Sequence, residues 1–512
     1  MKAQIKPLAF AMLLTGFTAA PVFADTVTVD SAQLDQINAQ TKSLKSSLAS
    51  LQKQVKQLKA QQAKNKNKTA PATADAPAPS VRTIKPSSPQ TVNQPEYLPF
   101  DLDVPGQAFV STGPYVGVPY QFAGGDLVVN SPSVNTDLQL LSIRKSIHNQ
   151  LMAMGDQVFK EPSHSHLLLS GTAEVQGNYT NNGGAPSTTN IDVTNVALDA
   201  FFMGPSDWTL GFIEFDYNNG TPATDVFGGN SQYTVADSRL MVNKAFITIG
   251  NFSESPFYTT FGQMYVPFGT YQSLMITDTL PKVLGRTKSR AVEVGFMQQG
   301  QNAFYGSTYI FRGDSHAASV DKVNNGGLNL GYKFSGVVNG TVGGGVIANL
   351  ADSVGFQTAN NFQNAEQIVH RVPGYNLNAT IGLGSKWDLI AEYVTASTRF
   401  NPNDMAYNGH GAKPSAIDTQ LSYAFPILDN KPSAIGIGYS ASSQAMAMGM
   451  PLNRYSLVMN TSLWRNTLQA IELRHDREYA ASTTGGNAGS EAAAPATGKY
   501  DNAITASFDY YF

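Results

Sequence analysis

Four cations crowd one short stretch of this chain. Within residues 277–290 lie Lys282, Arg286, Lys288 and Arg290, against a single acid, Asp278. Guanidinium and ammonium groups at that density attract anions: arginine grips carboxylate or phosphate through paired N–H donors, and lysine acts as a point charge. The cluster runs against its surroundings, because residues 166–512 carry 26 acids and 19 bases. Other patterns carry less. Ser142-Ile143-Arg144-Lys145 has Ser-x-x-Lys spacing but lacks companion motifs. His164 and His166 could grip a metal, yet two imidazoles without a third ligand make a weak site, and no metal or cofactor is expected. Gly343-Gly344-Gly345 would need a helix opening after it to cradle phosphate, and none follows; curvature or close packing suits it better. No Ser/His/Asp set assembles, so no enzyme is expected.

The elements that position the cations depend on where the chain folds. Lys2 and Lys6, an apolar run over residues 8–20 and the small-residue site Val22-Phe23-Ala24 predict a signal peptide over 1–24, cleaved after Ala24. After it, no apolar stretch is long enough for a membrane-spanning helix. Cysteine is absent, which removes disulfides, thiolate metal sites and a lipid-anchored start. Only 14% of residues are charged, against roughly 25% in a soluble domain. A net charge of −3 argues against a nucleic-acid partner. An exported chain of this kind is either a periplasmic globule or a β-barrel, and the low charge favours the barrel.

Residues 166–512 supply the strands. Sixteen candidates run from 166–180 to 499–512; 256–265 precedes the cation cluster, and 288–299 begins within it. Tight turns such as Gly204-Pro205-Ser206 and Gly384-Ser385 alternate with long segments such as 219–237, 266–287, 350–372 and 479–498. That alternation fits an antiparallel transmembrane β-barrel with short periplasmic turns and long outer loops. Period-two patterning agrees: Ile213, Phe215 and Tyr217 would face lipid opposite Glu214 and Asp216, and Val292, Val294 and Phe296 opposite Glu293. Around Lys244 the phase slips. Sixteen strands leave an aqueous lumen, which makes a solute pathway. The cation-bearing segment is the third long loop; folded inward, it would put four bases at a constriction and favour anionic solutes. At an outer rim the same bases would bind lipopolysaccharide phosphate.

Ahead of the barrel, three segments are expected. Leu34, Ile37, Thr41, Leu44, Leu48, Leu51, Val55 and Leu58 alternate by three and four, an a/d heptad seam that predicts a periplasmic coiled coil over 25–63 and a rod of about 42 Å. Few charges flank the seam, so a homomeric bundle is expected; its lysines could meet anionic peptidoglycan or simply face water. Residues 64–99 are a Pro-rich linker. Residues 100–165 are an irregular stretch followed by a short helix over 136–154, at the periplasmic mouth or in the lumen.

Phe508, Tyr510 and Phe512 end the last strand on one face, and this ending resembles Gram-negative outer-membrane barrels, in which such a strand is read by the barrel-assembly machinery. Gly262-Gln263-Met264-Tyr265-Val266-Pro267-Phe268-Gly269 before the cationic loop resembles phosphate-selective porins. The layout of signal, coiled coil, spacer and barrel resembles the siderophore porin family. These resemblances imply a homotrimeric outer-membrane porin, embedded in outer-membrane lipid, taking up small anionic solutes or an iron–siderophore complex without a plug driven by energy coupling. The alternative is a structural anchor or adhesin linking outer membrane and cell wall.

Overall fold

The computed structural model describes residues 100–104, 108–112, 135–153, 165–183, 186–204, 206–218, 239–300, 302–317, 322–360, 367–384, 386–428, 431–464, 466–487 and 494–511. The predicted signal peptide, coiled-coil seam, linker and Phe512 lie outside them.

Sixteen strands form the wall: β1 Ser165–Asn182, β2 Thr188–Met203, β3 Thr209–Asn218, β4 Arg239–Gly250, β5 Phe257–Tyr265, β6 Lys288–Met297, β7 Ala303–Phe311 and β8 Asn325–Phe334, then β9 Val338–Ile347, β10 Gly374–Leu383, β11 Trp387–Ala396, β12 Ser415–Ile427, β13 Lys431–Ser443, β14 Asn453–Thr461, β15 Thr467–Arg477 and β16 Tyr500–Tyr511. Each pairs antiparallel with the next. β16 closes on β1 from Asp501↔Asn182 to Tyr511↔Thr172. Closure leaves no unpaired edge, the condition for standing in lipid. One end carries tight turns, such as 335–337 and 384–386. The other carries the long loops, and its first connection, 183–187, is short.

Alternation decides which face meets what. On β16, Ile504, Phe508 and Tyr510 are outward and 40 to 46% exposed, while Thr505, Ser507 and Asp509 are buried inside. On β11, Trp387 and Tyr393 are outward, and Asp388 and Glu392 are buried inside. Two rings of aromatic side chains bound the outward belt. Near the turn end, Trp387 packs on Tyr423, Phe304 on Tyr332, and Trp464 on Phe508; near the loop end, Tyr439, Tyr455, His475 and Tyr500 form a chain. From Tyr500 to Tyr510 a strand tilted as in such barrels climbs roughly 25 Å, the height of an outer-membrane apolar band. The wall is that of an outer-membrane barrel. The slipped phase at Lys244 is a β-bulge: the register shifts between Glu214 and Phe215, and Asn243 is the extra residue on β4.

One feature ahead of β1 differs from the expected irregular stretch. A hairpin pairs Phe100–Val104 with Ala108–Thr112, whose backbone then runs parallel to residues 165–169 of β1. It pairs the part of β1 that extends past the end of β16. Pro105-Gly106, a turn dipeptide, was the available signal. Helix α1, Thr136–Ala153, lies inside the barrel. Its Leu140, Leu141 and Ile143 are buried with the inward Leu168, Phe201, Phe212 and Phe246. The Lys145 ammonium donates to the Phe252 carbonyl at 3.2 Å, in the turn after β4. So α1 sits at the turn end of the lumen.

Candidate functional site

The third long loop, 266–287, does fold inward. A strap crossing a lumen must find partners for its backbone groups, and the opposite wall supplies them. Glu392 of β11 accepts from the amides of Thr270 (3.0 Å) and Tyr271 (2.6 Å). Gln420 of β12 accepts from the Leu274 amide at 2.8 Å and donates to Ser273 Oγ at 2.9 Å. Asn460 of β14 donates to the Leu274 carbonyl at 3.0 Å. Glu472 of β15 accepts from the Thr277 amide at 2.8 Å, and Arg474 donates to Thr277 Oγ1 at 3.2 Å. Arg454, paired with Asp476, donates to the Asp278 carbonyl at 3.1 Å. The root of the strap needs a left-handed glycine: Gly269 has φ 103°, and a Cβ there would stand 2.5 Å from Glu392 Oε1. Phe268 lies over Gly345, so the glycine run of β9 serves close packing.

Beyond Thr277 the strap turns into a short helix, α2, Leu280–Gly285, with Thr279 Oγ1 accepting from the Lys282 amide and Pro281 in its first turn. The four predicted cations then separate. Lys282 is buried and pairs with Asp278 at 2.6 Å. Burial pulls its ammonium below the ordinary value, and Asp278 opposes that shift. Arg286 follows α2; its guanidinium lies 4.9 Å from the Tyr265 ring centroid. Its Nε is buried and has no hydrogen-bond partner among the described residues. Lys288 begins β6, lies 5.7 Å from the same ring and donates to Asn243 Oδ1 at 2.7 Å.

Arg290 does not join them. It is exposed and shares the outward face of β6 with Val292 and Val294, while Ala291 and Glu293 are buried inside. This corrects the expectation of four lumen bases. Two residues that spacing did not single out complete the site: Lys244 and Glu214, paired at 2.7 Å with both side chains 8% exposed. The Asn243 bulge beside them presents the amide oxygen that holds Lys288. Lys288 is also in electrostatic reach of Asp216 and Glu214. The arrangement is a cation pair on an aromatic ring, backed by a neutralised ion pair, beside a strap fixed across the lumen.

The Ser-x-x-Lys pattern on α1 does not assemble. Ser142 Oγ donates to the Leu138 carbonyl at 2.9 Å, and Lys145 also donates to Gln299 Oε1 at 2.8 Å. His164 lies outside the described residues.

No family model matches this chain. Among solved structures it is similar to an anion-selective porin from Comamonas acidovorans (TM-score 0.46, 10% identity, 68% of this chain and 100% of that one). It is also similar to the outer membrane channel DcaP of Acinetobacter baumannii (TM-score 0.43, 14% identity, 68% of this chain and 97% of that one). A UPF0422 protein of Legionella pneumophila (strain Lens) is 31% identical over 384 residues, 72% of this chain and 69% of that protein. A UPF0422 protein of Coxiella burnetii (strain RSA 493 / Nine Mile phase I) is 36% identical over 408 residues, 79% of this chain and 84% of that protein. With that identity sustained over most of both chains, this chain belongs to the UPF0422 family.

Proposed function

We propose that the chain is an outer-membrane channel for small solutes that favours anions, with Arg286 and Lys288 as the selecting groups. The observation that carries this reading is the strap pinned across the lumen, ending on a guanidinium nitrogen that has no hydrogen-bond partner among the described residues. Lys282 is neutralised by Asp278 and shapes the strap rather than the charge. Phe508, Tyr510 and Phe512 would serve as the insertion signal, and the 25–63 coiled coil would hold a homotrimer whose lysines face peptidoglycan. An iron–siderophore complex is one anionic cargo that such a channel could admit.

The test is conductance and ion selectivity of the mature protein in planar bilayers. Anion preference should fall several-fold in Arg286→Ala/Lys288→Ala and stay unchanged in Arg290→Ala, whose side chain is outside. A preference that survives the double change, or moves equally with Arg290, sinks the assignment. A silent barrel moves weight to the anchor or adhesin, a reading supported by the lumen-facing packing of α1.

A further inference from the structure

A cavity of about 630 Å³ opens on the outer wall at the loop end of β7 and β8. Its floor is bilayer-facing wall: Thr308 and Ile310 of β7, and Gly326 of β8, where the missing side chain leaves a notch. Its rim is Lys322 and Val323, just before β8, and Arg371, just before β10. Ile310 and Val323 are 53% and 65% exposed, and the apolar surface runs on into Leu328 and Val346 of the outward belt. Lys322 and Arg371 are exposed, and neither has a hydrogen bond or ion pair with a described residue.

The two cations come from different loops, and the structure holds those loops together. Buried Asp352 accepts from the Ser315 amide (2.7 Å), Ser315 Oγ (2.5 Å) and Asn325 Nδ2 (2.6 Å). The Ile368 amide donates to the His316 carbonyl at 3.0 Å. The loops that carry the rim are therefore tied to each other, and they bring two positive groups to an apolar floor at the loop end of the wall.

We propose that this groove binds a phosphate-bearing glycolipid of the surrounding leaflet, with acyl chains along Ile310 and Val323 and a phosphate between Lys322 and Arg371. Charge complementarity favours the phosphate, and continuity with the lipid-facing belt favours a ligand that is itself in the bilayer. A soluble anion would use the cations and leave the apolar floor bare. The site is outside the barrel and independent of what passes through the lumen.

Native mass spectrometry of the delipidated full-length protein in detergent tests this, with bisphosphorylated lipid A, dephosphorylated lipid A and inorganic phosphate as separate probes. The bisphosphorylated lipid should bind at one per chain and at least about tenfold more weakly to Lys322→Ala/Arg371→Ala, the scale of losing charge-assisted hydrogen bonds. The dephosphorylated lipid should bind wild type as weakly as the double variant binds the phosphorylated one, and millimolar inorganic phosphate should not displace the lipid. Equal affinity of wild type and variant overturns the proposal. So does equal binding of both lipids, and so does full displacement by inorganic phosphate, which would mark a soluble-anion site. Heat-modifiable migration on gels checks that the variant is folded; if it is not, the comparison of the two lipids on the wild-type protein decides.

Discussion

Asp137 shows how one buried charge can report on the helix inside the lumen. It stands in the first turn of α1, accepts from the Leu138 amide (2.9 Å) and from Thr260 Oγ1 (2.7 Å), and is faced by Glu293 of β6. Burial raises its pKa above the ordinary carboxylate value of 3.8, and the hydrogen bonds only partly oppose this. A folded-state pKa above the unfolded one contributes stability that is full below the unfolded value and is lost as pH rises through the folded value. Asp137→Asn removes that titration. The variant and wild type should melt together near pH 3, and the variant should gain as pH rises through the elevated pKa, then hold a constant lead. Thermal melts of the detergent-solubilised barrel across that range check it; a lead that does not change with pH would mean that the charge of Asp137 is not what burial penalises.

At the scale of elements, the strap depends on a few wall residues. Glu392→Ala would leave the amides of Thr270 and Tyr271, and Asn376 Nδ2, without their acceptor. Unsatisfied buried donors cost about 1–3 kcal/mol each, so a loss of at least about 2 kcal/mol is expected, with larger and noisier conductance steps as the strap loosens. Glu392→Gln keeps an acceptor oxygen and should restore most of the stability but not all. Denaturant unfolding beside single-channel recording separates the two effects, and unchanged steps in Glu392→Ala would show that the remaining clamps suffice. The strap was legible as a cation-bearing third loop, and the alternation of Trp387 and Tyr393 with Asp388 and Glu392 along the sequence gives Glu392 its inward face. Their meeting was not, because they lie 121–122 residues apart and alternation gives a face without a partner. Arg290 is the opposite case. Val292 and Val294 were readable as outward, and stepping back two residues puts Arg290 beside them; the next step back reaches Lys288, whose ammonium is instead held by Asn243 Oδ1 at the β4 bulge, beside Tyr265. For Arg290 the period of the strand, not closeness along the chain to Arg286 and Lys288, decides the face.

On the scale of the whole molecule, the sixteen strands were readable because a barrel repeats one rule sixteen times. Each span has the length, the alternation and the turn that its neighbours have, and closure needs an even number for both termini to share an end. What lies off that repeat obeys no such rule, which is why α1 could be predicted as a helix at the periplasmic mouth or in the lumen but without its wall partners, and why the hairpin on the free part of β1 carried no signal beyond Pro105-Gly106. The same regularity makes a depth-dependent prediction. Ile504 is outward near the middle of the belt, and Tyr500 is outward in the aromatic ring at the loop end. An arginine at the midplane of such a wall costs about 2–4 kcal/mol, and near an interface about 0–1. Ile504→Arg should therefore destabilise folding into lipid bilayers several-fold more than Tyr500→Arg, although both sit on the same face of β16. Equilibrium folding into large unilamellar vesicles measures the difference. Equal costs would place the apolar band elsewhere on the wall, and with it the height at which Lys322 and Arg371 meet the headgroups.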